Sequence, residues 1–115
     1  MDTRTAARRW SGTWEGVWRD PGPADTAALY ARDAVLQSHA PRRPPNYIEP
    51  ALEARDSTEC EFDEPLVDGD RAAVTWRAEP RLTAGGSMLL EGVSLLRFNS
   101  EGLVVEQRDF WGSAP

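Results

Sequence analysis

The chain has 115 residues, 40% of them apolar and 28% charged, and a net charge of −6. This fits one ordinary domain, residues 1–115, with a single core, and the acidity argues against nucleic acid or an anionic membrane as the main partner, since both need a basic face. Every basic residue is Arg, which excludes a Schiff-base lysine, and Cys60 is the one cysteine, which excludes an intrachain disulfide and a thiolate metal site.

The N-terminal MDTRTAARRW has no apolar stretch of the kind a leader needs, and no run reaches membrane-spanning length, so a cytoplasmic protein is expected. From Thr3 to Arg19, Trp10, Trp14 and Trp18 recur every fourth residue, which predicts a helix with one aromatic face. Asp2 or Thr3 can cap its start. Asp20-Pro21-Gly22-Pro23 ends it, because proline cannot continue the hydrogen-bond ladder. Ala24–Ala31 reads as a second short helix and Asp33–Ser38 as a strand. His39–Asn46 carries three prolines and should be an irregular connection. Tyr47–Arg55 reads as a third helix despite Pro50.

The second half reads as strands. Glu59–Val67 is a strand broken by Pro65, and Asp68-Gly69 makes a turn into a strand over Arg71–Glu79. A loop with Gly85-Gly86 follows. The last stretch, LLEGVSLLRFNSEGLVVEQRDFW, is a hairpin. Two β-branched runs flank Asn99–Gly102, where Gly102 can take positive φ and Asn99 can bond its own backbone. Helices first and antiparallel strands after is the α+β pattern. Alternation puts Ala72, Val74, Trp76 and Ala78 on one face, so Arg77 and Glu79 point the other way. The same alternation groups Val105, Gln107, Asp109 and Trp111.

Trp14–Ser38, Glu64–Val74, Leu96–Phe98 and Gly102–Trp111 together resemble the nuclear transport factor 2-like superfamily, in its SnoaL-like branch. The resemblance covers nearly the whole chain, the Pro-rich 40–50 stretch excepted. It implies a cone of curved antiparallel sheet with three N-terminal helices enclosing a pocket, the cystatin-like arrangement. It implies little about function, because the superfamily mixes isomerases, cyclases, hydrolases and binders.

Three relatives locate candidate sites. By resemblance, the base, oxyanion tyrosine and protonated aspartic acid of ketosteroid isomerase fall on Ser38, Trp14 and Ser94. Serine is no unassisted base near neutral pH and indole is a weak donor, so steroid isomerisation of that type is not expected. One of the catalytic aspartates of limonene epoxide hydrolase falls on Asp109, within Gln107-Arg108-Asp109-Phe110-Trp111. Arg77 and Glu79 are counterparts of that enzyme's Arg-x-Asp, although strand parity turns both away from the core. SnoaL-type polyketide cyclases look like cofactor-free acid/base catalysts, and here would use Asp109 with His39. Desolvation among aromatic side chains would strengthen such a base. The bland alternatives are a structural Asp109 paired with an arginine and a solvent-facing His39.

The catalytic candidates are therefore Asp109, His39, Arg77 and Glu79, and the ligand-binding candidates Trp14, Trp18, Tyr30, Tyr47, Ser94 and Trp111. No metal or cofactor is expected, since one histidine and scattered carboxylates make no ligand cluster. Glu91, Arg97 and Glu106 belong to the opposite sheet face, where relatives pair as homodimers. Two functions survive. One is a cofactor-free enzyme acting on a small hydrophobic, oxygenated molecule, by cyclisation or isomerisation in preference to epoxide hydrolysis. The other is a non-catalytic ligand-binding or dimerisation domain.

Overall fold

A computed structural model describes residues 1–19, 26–39, 58–80, 86 and 89–114, with the side chains of residues 39 and 114 outside the description. Helix α1 spans Thr3–Arg19. Asp2 caps it: one carboxylate oxygen accepts from the Thr5 amide at 2.8 Å, and the Asp2 carbonyl accepts from Ala6 at 3.0 Å. Ala6, Ala7 and Trp10 are buried, while Arg4 and Arg8 face solvent and share Glu64. Two alanines on the inner stripe let the helix approach the sheet closely.

Thr26–Leu29 forms a single 3-10 turn, and strand β1 begins at Tyr30 and runs to His39. This corrects the helix expected over 24–31. Alanine favours helix, but propensity is easily overridden by tertiary contacts, and pairing of Tyr30 with Val104 draws the end of the segment into the sheet. The third helix, over 47–55, lies outside the described residues.

The other strands are β2 (Thr58–Phe62), β3 (Leu66–Asp68), β4 (Arg71–Pro80), β5 (Leu89–Phe98) and β6 (Val104–Ala114). They form one sheet in the order β1-β6-β5-β4-β2, with β3 also on β4. Pairing is antiparallel throughout except between β1 and β6, which run parallel. Pro65 separates β2 from β3. Between Arg97↔Glu106 and Phe98↔Val104 the register slips by one residue. This bulge makes Val104, fully buried, the core residue in place of Val105, while Gln107, Asp109 and Trp111 keep the inner face.

Two glycine turns meet the start of α1. Gly69 (φ 62°) and Gly102 (φ 80°) take the left-handed conformation their hairpins need. The Thr3 hydroxyl donates to the Gly69 carbonyl at 2.7 Å and the Arg9 guanidinium to the Gly102 carbonyl at 2.9 Å. Asn99 accepts from the amides of Glu101 and Leu103, both at 3.0 Å, which fixes the second turn. The core of Ala6, Ala7, Trp10, Leu29, Val74, Leu96, Phe98 and Val104 fills the space between helix and sheet. No described helix is long and apolar enough to cross a membrane.

Candidate functional site

The inner face of the sheet sets the site by register. Ser94 on β5 and Ser38 on β1 both pair with Asp109 on β6, so the aspartate stands between two serines. Two pairs further along β5 and β6 are Gly92 and Trp111, with Trp76 opposite Gly92 on β4. A side chain on Gly92 would meet the Trp76 ring at 2.7 Å. The glycine thus leaves room for that ring to lie over β5, where its indole N–H donates to Ser94 Oγ at 3.1 Å. Phe62 stacks on Trp76 at 6.3 Å and Trp18 lies tilted against it at the same distance.

Hydrogen bonds converge on Asp109. Ser94 Oγ donates to Oδ1 at 2.6 Å, and the Gln107 amide nitrogen reaches Oδ1 and Oδ2 at 3.2 and 3.0 Å. Gln107 cannot be turned over, because its amide oxygen accepts from the Tyr30 hydroxyl at 2.6 Å and the Trp10 indole at 3.0 Å. Tyr30 in turn accepts from Trp14 at 3.1 Å and Trp10 at 3.3 Å. Burial pushes the Tyr30 phenol up from its ordinary value of 10.0, with the nearby Asp109 charge adding to the effect against the indole hydrogen bonds, so Tyr30 remains a neutral donor. Every proton in this chain points toward the carboxylate, which itself accepts from Ser94 and Gln107.

Asp109 opens on a cleft of about 720 Å³, a size that suits a small organic ligand. Its described lining includes Trp14, Tyr30, Ala34, Ser38, Gln107 and Asp109. Ser38 Oγ accepts the Trp111 indole N–H at 2.9 Å.

The expected site residues separate into groups. Trp14 and Tyr30 line the cleft beside Asp109. Ser94 is buried behind the carboxylate. Trp111 touches the cleft through Ser38, and Trp18 belongs to the Trp76 stack instead of this lining. The backbone of His39 pairs with Phe110, and its side chain, like all of Tyr47, lies outside the described residues. Arg77 and Glu79 are not brought to Asp109. The outward phase of β4 leaves both exposed, and Arg77 is ion-paired with Glu61. They border a separate cleft with Arg19, Cys60 and Leu89 near edge strand β2. Among the described residues no group of three or more His, Cys, Asp or Glu side chains is placed to hold a metal.

Sequence reasoning assigned no role to Gln107 or Trp76. Alternation with Asp109 was the available signal for Gln107. For Trp76 the signal was weaker, a glycine in the middle of the Leu89–Phe98 strand.

A helix seated on a curved sheet, with a parallel first-to-last strand pair and a cleft at one end, is the nuclear transport factor 2-like architecture. The chain belongs to the SnoaL-like domain family, whose model matches residues 13–107. No curated protein sequence matches it. Among solved structures, AclR from Streptomyces galilaeus is similar at a TM-score of 0.72 and 18% identity, over 94% of this chain and 79% of that one. SalBIII, an epoxide hydrolase/cyclase-like enzyme of pyran ring formation in the polyether salinomycin, aligns at 0.69 and 17%, over 96% and 93%. The Δ5-3-ketosteroid isomerase of a Mycobacterium species aligns at 0.66 and 15%, over 92% of each chain. At these identities the likeness establishes the fold alone.

Proposed function

We propose that the cleft beside Asp109 binds a small hydrophobic, oxygenated molecule and that Asp109 is the general base of a cofactor-free cyclisation or isomerisation. The observation that carries this reading is the one-way hydrogen-bond chain ending on the carboxylate, which holds an acceptor ready beside a ligand-sized space. In the step this suits, Asp109 takes a proton from carbon next to a carbonyl, and the C–H electron pair becomes an enolate. Isomerisation follows when Asp109 returns the proton at another carbon. Cyclisation follows when the enolate carbon attacks a second carbonyl of the same molecule and the new alkoxide takes the proton.

The test is hydrogen–deuterium exchange at the α-carbons of 2-tetralone in D2O, followed by proton NMR. The protein should accelerate exchange over buffer, and Asp109→Asn should lose the acceleration while keeping its fold. Equal rates for the two proteins would reject Asp109 as the base.

Epoxide hydrolysis has less support, since Arg77 and Glu79 stand apart from Asp109. A non-catalytic binder is the second reading. It is favoured by the donors that already occupy both oxygens of Asp109, and would show as ketone binding with no exchange. The outward face carries Leu66 at 73% and Leu95 at 37% exposure beside Arg97, Glu106 and Arg108. Apolar positions interleaved with both charge signs suit pairing with a second copy of this chain, and we assign a homodimer to that face.

A further inference from the structure

We infer that Ser38, its hydroxyl oxygen capped by the Trp111 indole, is the hydrogen-bond donor that receives the substrate's carbonyl oxygen as charge develops on it. The inference rests on Asp109 acting as the base and adds the second half of the site.

An enolate needs a donor near the base, because the charge taken from carbon ends on oxygen. Among the described residues, nearly every donor around Asp109 is spent. The Ser94 hydroxyl and the Gln107 amide nitrogen serve the carboxylate. Trp76 serves Ser94, Tyr30 serves Gln107, and Trp14 serves Tyr30. Ser38 is different. It pairs directly with Asp109 across the parallel β1–β6 ladder, which puts the two backbones about 4.8 Å apart with side chains on one face. It is exposed and lines the same cleft. Its oxygen accepts from Trp111 at 2.9 Å, and no described residue accepts its own proton.

With no described acceptor for its proton, the hydroxyl can donate into the cleft that Ser38 lines. The indole bond holds the oxygen in place and polarises its O–H, as successive hydrogen bonds in a chain do. The step balances without a co-reactant. Asp109 gains the α-proton, the C–H pair forms the carbon–carbon double bond, and the carbonyl π pair moves to oxygen. The Ser38 proton stays on serine and bonds that oxygen. Trp111 is a positioning residue that acts through Ser38.

The experiment is the 2-tetralone exchange assay with Ser38→Ala, Ser38→Thr and Trp111→Phe beside Asp109→Asn. Loss of one such donor should slow exchange about 100-fold at saturating ketone. KM should change little, because the bond strengthens only as charge develops. Threonine, which keeps the hydroxyl, should restore most of the rate, a rescue that a packing role would not produce. Trp111→Phe should slow exchange less than Ser38→Ala, again in kcat. Wild-type rates for Ser38→Ala, with Asp109→Asn inactive, would overturn the donor and leave the base standing. Should Ser38→Ala fail to fold, wild-type rates for Trp111→Phe would overturn it. Absence of exchange by the wild-type protein would remove base and donor together.

Discussion

Gln107 presents its amide nitrogen to both carboxylate oxygens of Asp109, two residues further along the same strand. Its own oxygen is held by Tyr30 and Trp10, so one buried amide joins the aromatic face of the helix to the acid in the cleft. Replacing Gln107 by Leu leaves the Tyr30 hydroxyl and the Trp10 indole without their shared acceptor. A loss of about 2 kcal/mol is expected, the cost of stranding buried donors, measured by urea unfolding. Tyr30→Phe should cost less, and the double variant less than the sum, because both changes cut one network.

Asp109→Asn tests the direction of that network. An amide keeps an acceptor for Ser94 but turns an NH2 group against the Gln107 NH2. The variant should fold and lose about 1 kcal/mol, read by urea unfolding, with exchange activity lost as proposed.

Gly92 is predicted to be intolerant of the smallest side chain. A Cβ there would lie 2.7 Å from both the Phe110 carbonyl oxygen and the Trp76 ring, and 2.9 Å from Trp111 Cβ. The backbone oxygen cannot give way as a side chain can. Gly92→Ala should destabilise by about 1–3 kcal/mol, an overpacking cost, and displace Trp76 from Ser94. Near-UV circular dichroism would report the moved indole.

Acid should weaken the fold in a defined direction. The hydrogen bond from Arg8, then that from Arg4, draws Glu64 below its ordinary 4.5, and the Thr5 amide draws Asp2 below 3.8. A lowered folded-state value means the unfolded chain binds more protons in that range. The stabilisation is therefore complete above these ordinary values and is lost as pH falls through the lower folded ones. Both groups are solvent-exposed, so the effect is modest. Glu64→Gln and Asp2→Ala should each flatten the fall in Tm between pH 5 and 2.

The proposed dimer has its own test. Leu95→Glu places a charge among the exposed apolar positions of the outward face. The variant should run at half the wild-type mass in light scattering after gel filtration. A wild-type monomer would reject the pairing.

Local order was legible wherever neighbours in the chain decide it. The Trp10-Trp14-Trp18 spacing and Pro21 bounded α1, Asn99 and Gly102 marked the hairpin, and two-residue alternation turned Arg77 and Glu79 outward. These are short-range rules of backbone geometry. They misread Ala24–Ala31, where propensity favoured helix and a partner 74 positions away, Val104, demanded strand. They also missed the bulge that exchanges Val105 for Val104, since one inserted residue leaves no mark in composition.

By itself the chain determined which side chains share a face of each strand, because that follows from a period of two along the backbone. Tertiary structure alone decided which strands not joined by a tight turn lie side by side. Asp109 stands between Ser94 and Ser38, and Gln107 beneath the helix tryptophans, because the sheet closes β1 parallel onto β6. That closure depends on contacts about seventy residues apart, which no local pattern encodes.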